Sequence, residues 1–134
     1  MNIFICLDDN NGMLFNKRRQ SQDSAVRKKM LELTNGSRLW MNEYSFRQFT
    51  EGGNISVSKS FLQDAGENEF CFVENVALPI ESAKRIYVFR WNRRYPADTR
   101  FEIDLVQCGF KAIWIEEFKG TSHDKITLEA FERI

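Results

Sequence analysis

Ile3-Phe4-Ile5-Cys6-Leu7-Asp8-Asp9-Asn10-Asn11-Gly12 opens the chain, and its reading decides the architecture. Five apolar residues in a row predict a strand over residues 2–7 buried on both faces, as in the centre of a sheet covered on two sides. Asp8 to Gly12 is turn chemistry, because Asn and Gly tolerate positive φ. A long polar loop is expected from Met13 to Gln22. A helix then opens at Asp23, with Val26, Met30 and Leu33 at helical spacing and Arg27, Lys28 and Lys29 facing out. Ser21 or Asp23 can cap it, and Asn35-Gly36 ends it. A buried strand feeding a loop and a helix N-terminus is a common way to build a pocket.

Further strands are expected at Leu39-Trp40-Met41, Asn54 to Ser58, Phe70 to Val73 and Arg85 to Trp91. Tyr44, Phe46 and Phe49 suggest a short helix closed by Gly52-Gly53. Lys59 to Asn68 reads as a loop with a helical turn, and Val76 to Ala83 holds at most a short helix around Pro79. Lys111 to Phe118 and Lys125 to Arg133 pair as a C-terminal antiparallel hairpin across Gly120-Thr121-Ser122. Strand–helix alternation early and a hairpin late predict an α/β fold with a mixed central sheet and flanking helices, in one domain over residues 1–134.

The totals narrow the classes. Nineteen basic and nineteen acidic residues cancel, so no overall field draws the chain to nucleic acid or membrane. Cys6, Cys71 and Cys108 are widely spaced in apolar runs and read as reduced core thiols of a cytoplasmic protein. The opening apolar run is too short for a membrane span or signal. No Cys-x-x-Cys or histidine-rich motif suggests zinc, and one histidine cannot supply the His-x-His-x-Asp-His set of a metallo-β-lactamase-like nuclease. Asp8-Asp9 beside Asn10 is a turn without the further ligands of a hard-cation site. His123 lies in a polar turn and is expected to be solvated. Cys6 and Cys71, inside apolar strands, are expected to be inert thiols.

Residues 83–101, Ala-Lys-Arg-Ile-Tyr-Val-Phe-Arg-Trp-Asn-Arg-Arg-Tyr-Pro-Ala-Asp-Thr-Arg-Phe, resemble the late strand and following loop of the dihydrofolate reductases. Asp98-Thr99-Arg100-Phe101 matches that family's Asp-Thr-x-Phe signature. Ile3 to Gly12 is similar to its first strand and glycine turn, Leu39-Trp40-Met41 to its second strand, Asn54-Ile55-Ser56-Val57-Ser58 to a later one, and Phe118 to Arg133 to its closing hairpin. Asp23 falls where the family places the acid that holds the pterin ring. The resemblance implies a dihydrofolate-reductase-like fold; fold alone does not carry function.

At the cofactor positions the chain departs from the pattern. Where the family has Gly then Arg, the arginine gripping the 2′-phosphate of NADPH, this chain has Asn42 and Glu43. Losing a charge-assisted hydrogen bond costs roughly 1.5–3 kcal/mol, and a carboxylate there adds repulsion. Where the family has a Gly-Gly pair at a strand end, this chain has Glu74-Asn75, whose side chains fill space a dinucleotide needs. The segment between 59 and 83 is shorter than the family's by about one strand–helix unit, and no phosphate-cradling loop occurs elsewhere. The threonine that partners the pterin-binding acid falls at Phe89, and the folate-clasping arginine falls near Gly52. Lys17-Arg18-Arg19 replaces the Pro-Trp before the acid.

The sequence therefore points to a non-catalytic binding or interaction domain, a pseudoenzyme that has lost the NADPH site and uses neither cofactor nor metal. Lys17, Arg18, Arg19 and Asp23 are its candidate ligand-binding residues, facing an anionic small molecule or protein partner. One alternative is a divergent NAD(P)H-dependent reductase that orients a substrate ring with Asp23; it predicts a deep cleft between the first helix and the strand around Phe89. A second is RNA or DNA binding through Arg90, Arg93 and Arg94 beside Trp91 and Tyr95. Trp91, Phe15 and Phe49 are the aromatics that would mark a partner surface if exposed.

Overall fold

The computed structural model describes residues 1–134. In chain order the elements are β1 (Asn2–Leu7), β2 (Gly12–Phe15), β3 (Arg18–Arg19), α1 (Ser24–Thr34), β4 (Leu39–Met41), α2 (Glu43–Phe46), β5 (Ile55–Val57), α3 (Phe61–Asp64), β6 (Phe70–Phe72), a 3-10 turn (Ile80–Ser82), β7 (Arg85–Arg90), β8 (Thr99–Arg100), β9 (Phe110–Phe118) and β10 (Ile126–Arg133). Seven strands form one sheet in the order β5-β4-β6-β1-β7-β10-β9. The first five run parallel. β10 and β9 close the sheet as an antiparallel hairpin.

The central placement of β1 follows from its composition. Ile3, Ile5 and Leu7 point into one core with Phe61, Val73, Val88, Phe101 and Phe110. Phe4 points to the other face, beside Phe70, Phe72, Phe89 and the α1 residues Val26 and Met30. A strand apolar on alternate sides must be covered twice, and period-two geometry divides its side chains between two layers. α1 begins at Asp23, whose carboxylate accepts the Ala25 amide at 2.8 Å. It ends at Asn35, in the left-handed region at φ 47°, followed by Gly36 at φ 87°. The caps are those the sequence predicts.

The expected loop from Met13 to Gln22 is instead a hairpin. β2 and β3 pair antiparallel, and β2 also pairs with β8, giving a small second sheet. Asn16 and Lys17, at φ 54° and 64°, make the two-residue turn between them. Two successive positive φ values match the twist of a tight hairpin. Lysine adopts that conformation only at a cost, so Lys17→Gly is expected to raise stability by about 0.5–1 kcal/mol in urea denaturation.

Three further expectations are corrected. Arg27 and Lys29 do not both face solvent: Arg27 is buried against Glu51 at 2.8 Å, and Lys29 reaches Glu116 at 2.7 Å over the Phe118 ring. Glu51, between α2 and β5, and Glu116, on β9, lie within reach of α1, so long cations there find carboxylates rather than water. Cys108 is exposed in the turn before β9 and is not a core thiol, whereas Cys71 is buried. Trp91 is buried, not an exposed partner aromatic; Phe15 is 48% exposed, and Phe49 packs partly buried against Phe72.

Candidate functional site

In an open α/β sheet the natural ligand crevice lies beyond the carboxyl ends of the parallel strands, where the strand order reverses. Here that place is bounded by Asp8 after β1, Asn42 after β4, Glu74 after β6 and Trp91 after β7. All four are engaged with the protein itself. Asp8 is buried and accepts the amides of Asn10, Gly12 and Tyr95 and the side-chain amide of Gln20 at 2.7–3.0 Å. Burial opposes its ionisation, but those four donors hold the carboxyl below its usual range.

Glu74 is the centre of a closure. Its carboxylate accepts Arg19 Nε at 3.0 Å and Nη2 at 3.1 Å, Ser45 Oγ at 2.8 Å and Gln48 Nε2 at 3.0 Å. Arg19 also lies over the Tyr44 ring, 4.3 Å from its centroid, and donates to the Tyr44 carbonyl. The pair is largely enclosed, with the Arg19 side chain 20% and that of Glu74 8% exposed. Next to it, Asn42 Nδ2 donates to Asn75 Oδ1 at 2.8 Å, so the ends of β4 and β6 are stitched together directly. A groove of about 440 Å³ stays open beside Glu74 and Asn75, lined also by Met13, Val76, Leu78, Phe101 and Ile103; between β1, β6 and the hairpin the cavity is about 10 Å³, lined by Cys6, Met13, Val73 and Gln20 among others. That is room for one water. Gln20 Oε1 is buried without a protein partner. Burial and the nearby Glu74 charge push the Cys6 thiol well up, which leaves it unreactive.

Asp23 and His123 form the second cluster. Asp23 accepts the amides of Ala25, Thr121 and Ser122 and lies 2.9 Å from His123 Nδ1. Burial raises its pKa, but the Thr121 amide, the His123 hydrogen bond and the other amides outweigh it and hold the carboxyl far below the usual carboxylate range. On the other side of the ring, Nε2 meets the hydroxyls of Ser21 and Tyr95, each at 3.0 Å. Trp91 stacks on the imidazole with centroids 4.7 Å apart. Gly120 permits the approach, since a Cβ there would sit 2.5 Å from Asp23 Oδ2.

Ser21, His123 and Asp23 thus have the spacing of a nucleophile–base–acid relay. The relay has no access. The His123 side chain is 2% exposed and that of Asp23 is 0% exposed, and Tyr95 shares Nε2 with Ser21. The cluster instead staples the start of α1 to the β9–β10 turn and the loop after β7. The expectation of a solvated His123 is therefore corrected: the turn folds under Trp91 because a buried carboxylate and two hydroxyls satisfy the ring.

Acid lability follows with a definite sign. Asp8, Asp23, Glu51 and Glu69 all have pKa values lowered in the folded protein. Their stabilising contribution is complete above the unfolded values, about 4, and is lost as pH falls below them. The urea midpoint is expected to hold steady from about pH 7 to 5 and to drop steeply toward pH 3. Asp23→Asn should flatten that drop.

The ligand-binding candidates are divided by the fold. Lys17 and Arg18 are exposed at the hairpin turn, Arg19 turns inward to Glu74, and every Asp23 contact is internal. They do not form one grip. Arg90 is likewise separated from Arg93 and Arg94, since it pairs with Glu129 at 2.9 Å and Asn11 at 2.6 Å. Glu43 is on the surface of α2 near Arg47. The space beside Phe89, where a reductase would need a cleft, is filled by Phe4, Phe118 and the α1 residues Val26 and Met30. No three His, Cys, Asp or Glu side chains are placed to hold a metal ion. No helix is long and apolar enough to cross a membrane.

The sheet order, the closing hairpin and the position of the crevice can be compared with solved structures. The chain superposes on the dihydrofolate reductase of Enterococcus faecalis, solved in complex with NADP(H) and RAB-propyl, over 98% of its own length and 95% of that chain, with a TM-score of 0.66 and 12% identity. The fold is dihydrofolate-reductase-like. No family model matches the sequence, and no curated protein matches it. Within this dihydrofolate-reductase-like sheet, Asn42 and Glu74-Asn75, the positions at which the resemblance implied glycines, are joined to one another or to Arg19. Ser45, Gln48, Tyr44 and His123 complete the two clusters. None was visible as a site residue in the sequence; the one available signal was an acid, Glu74, following an otherwise apolar strand.

Proposed function

We propose that this protein is a non-catalytic binding domain whose ancestral coenzyme crevice is closed, a pseudoenzyme that engages an anionic partner through the exposed cations of the β2–β3 hairpin. The support is the Arg19–Glu74 pair. A pyrophosphate lodging beyond β6 would have to displace Arg19 from a carboxylate that four donors already satisfy, or share the space with that carboxylate uncompensated. The Asn42–Asn75 bridge would have to break as well. Two cations remain for the partner, Lys17 and Arg18, because Arg19 belongs to the closure.

Isothermal titration with NADPH, NADH and dihydrofolate tests this reading. No saturable heat is expected below about 1 mM of any of them. A dissociation constant near 1 μM for either coenzyme, roughly −8 kcal/mol, would contradict it.

A further inference from the structure

Two stretches far apart in sequence, each carrying basic residues, pack against one another. The hairpin carrying Lys17 and Arg18 lies against the loop after β7: Gln20 Nε2 donates to the Pro96 carbonyl at 3.3 Å, and Asp98 N donates to the Leu14 carbonyl at 3.0 Å. That loop also carries Arg93 and Arg94: the Asp9 amide donates to the Arg93 carbonyl at 2.9 Å, and Arg93 lines a second pocket with Asn92, Asp124 and Lys125. Between hairpin and loop is a groove of about 350 Å³ with Phe15, Arg18, Tyr95 and Pro96 in its walls. Phe15 offers an aromatic face that is 48% exposed at this rim.

Of the nineteen basic side chains, eleven make no ion pair with a carboxylate. Ion pairs with carboxylates hold eight basic side chains, and Lys17, Arg18, Arg93 and Arg94 are not among them. Asp98 is the acid beside the turn, and its carboxylate already accepts the Asn16 amide at 3.0 Å. Arg18 in the wall of this groove, Lys17 next to it in the turn, and Arg93 in a second pocket along the same loop, with the exposed Phe15 ring, match one partner chemistry: a flexible chain of phosphates carrying flat rings. Cations neutralise the backbone, and a base stacks on the ring without regard to sequence.

We infer that the groove between the β2–β3 hairpin and the loop after β7 binds single-stranded nucleic acid, with Lys17, Arg18, Arg93 and Arg94 on the phosphates and Phe15 stacking a base. This deepens the binding-domain reading by naming the partner, and it rests on that reading. Duplexes fit less well, because their bases are already stacked and present no free face to Phe15.

Fluorescence anisotropy of labelled oligouridylate and oligothymidylate, each about 15 nucleotides long, tests it. Both arms are measured across a salt series, with a duplex of equal length beside them. Single strands should bind with log K falling against log salt at a slope of about −2 to −3, as three or four phosphate contacts require. Lys17→Glu with Arg18→Glu, and separately Arg93→Glu with Arg94→Glu, should each weaken binding about tenfold or more. Phe15→Ala should weaken it about five- to a hundredfold with the salt slope unchanged. Circular dichroism confirms that the variants fold. The two strand types reveal whether the 2′-hydroxyl matters, and preference for either is compatible with the inference. Absence of binding, equal or tighter binding of the duplex, or indifference to Phe15→Ala would each overturn it. A protein that ignores both coenzymes and oligonucleotides loses this inference and keeps the closed-crevice reading; one that binds NADPH loses the reading beneath.

Discussion

Glu74→Ala is expected to destabilise the protein by about 3–5 kcal/mol, a cost typical of stripping the partner from a buried ion. Removing the carboxylate leaves the largely enclosed Arg19 guanidinium without its two hydrogen bonds and orphans Ser45 Oγ and Gln48 Nε2. An Arg19→Met, Glu74→Leu double variant should recover much of that loss, because an apolar pair of similar volume removes both buried charges together. Urea denaturation of the two single variants and the double one gives the coupling. If Glu74→Ala loses less than about 1 kcal/mol, the pair behaves as a surface ion pair and does not hold the strand ends together.

Asp23→Ala should be comparably damaging, again about 3–5 kcal/mol, with a melting temperature lower by about 10 °C or more. One carboxylate caps α1, receives the Thr121 and Ser122 amides and faces the buried His123 ring. The cap alone is worth about 1 kcal/mol. The rest comes from buried donors left unsatisfied. Asp23→Asn keeps the cap but sets an amide against two or three donors, so it should fall between wild type and alanine. Thermal melts of the three proteins at neutral pH decide the order.

The architecture was legible where local chemistry and tertiary placement agree. The apolar run at Ile3–Leu7 could only be central, and Asp23 and Asn35-Gly36 mark the ends of α1 by capping rules that act within a few residues. The small second sheet was not legible. Its strands are four, two and two residues long, and its turn uses Asn16-Lys17 in place of the Asn-Gly that signals a hairpin. Its third strand, β8, comes from more than eighty residues further along the chain.

The candidate site was read in halves. Arg19 stood out as a cation and Glu74 as an acid hostile to a dinucleotide, yet that each neutralises the other depends on a contact across 55 residues. His123 resembled a solvated turn residue because the carboxylate that buries it lies 100 positions earlier. Pairings of this kind are set by the sheet order, which composition and spacing restrict but do not specify. The same applies to the groove between the hairpin and the loop after β7, whose walls are separate stretches of the sequence.

On the proposed reading, the Arg19–Glu74 pair and the Asn42–Asn75 bridge occupy the ground beyond β6 that a coenzyme pyrophosphate would need. Amide chemical shifts at Leu7, Asn42 to Ser45 and Val73 to Asn75, followed during a titration with NADPH, decide whether they do. These signals are expected to stay in place up to about 1 mM coenzyme. Saturable shifts at those amides in the micromolar range would contradict that reading, because they would mean that the Arg19–Glu74 closure opens to admit the dinucleotide.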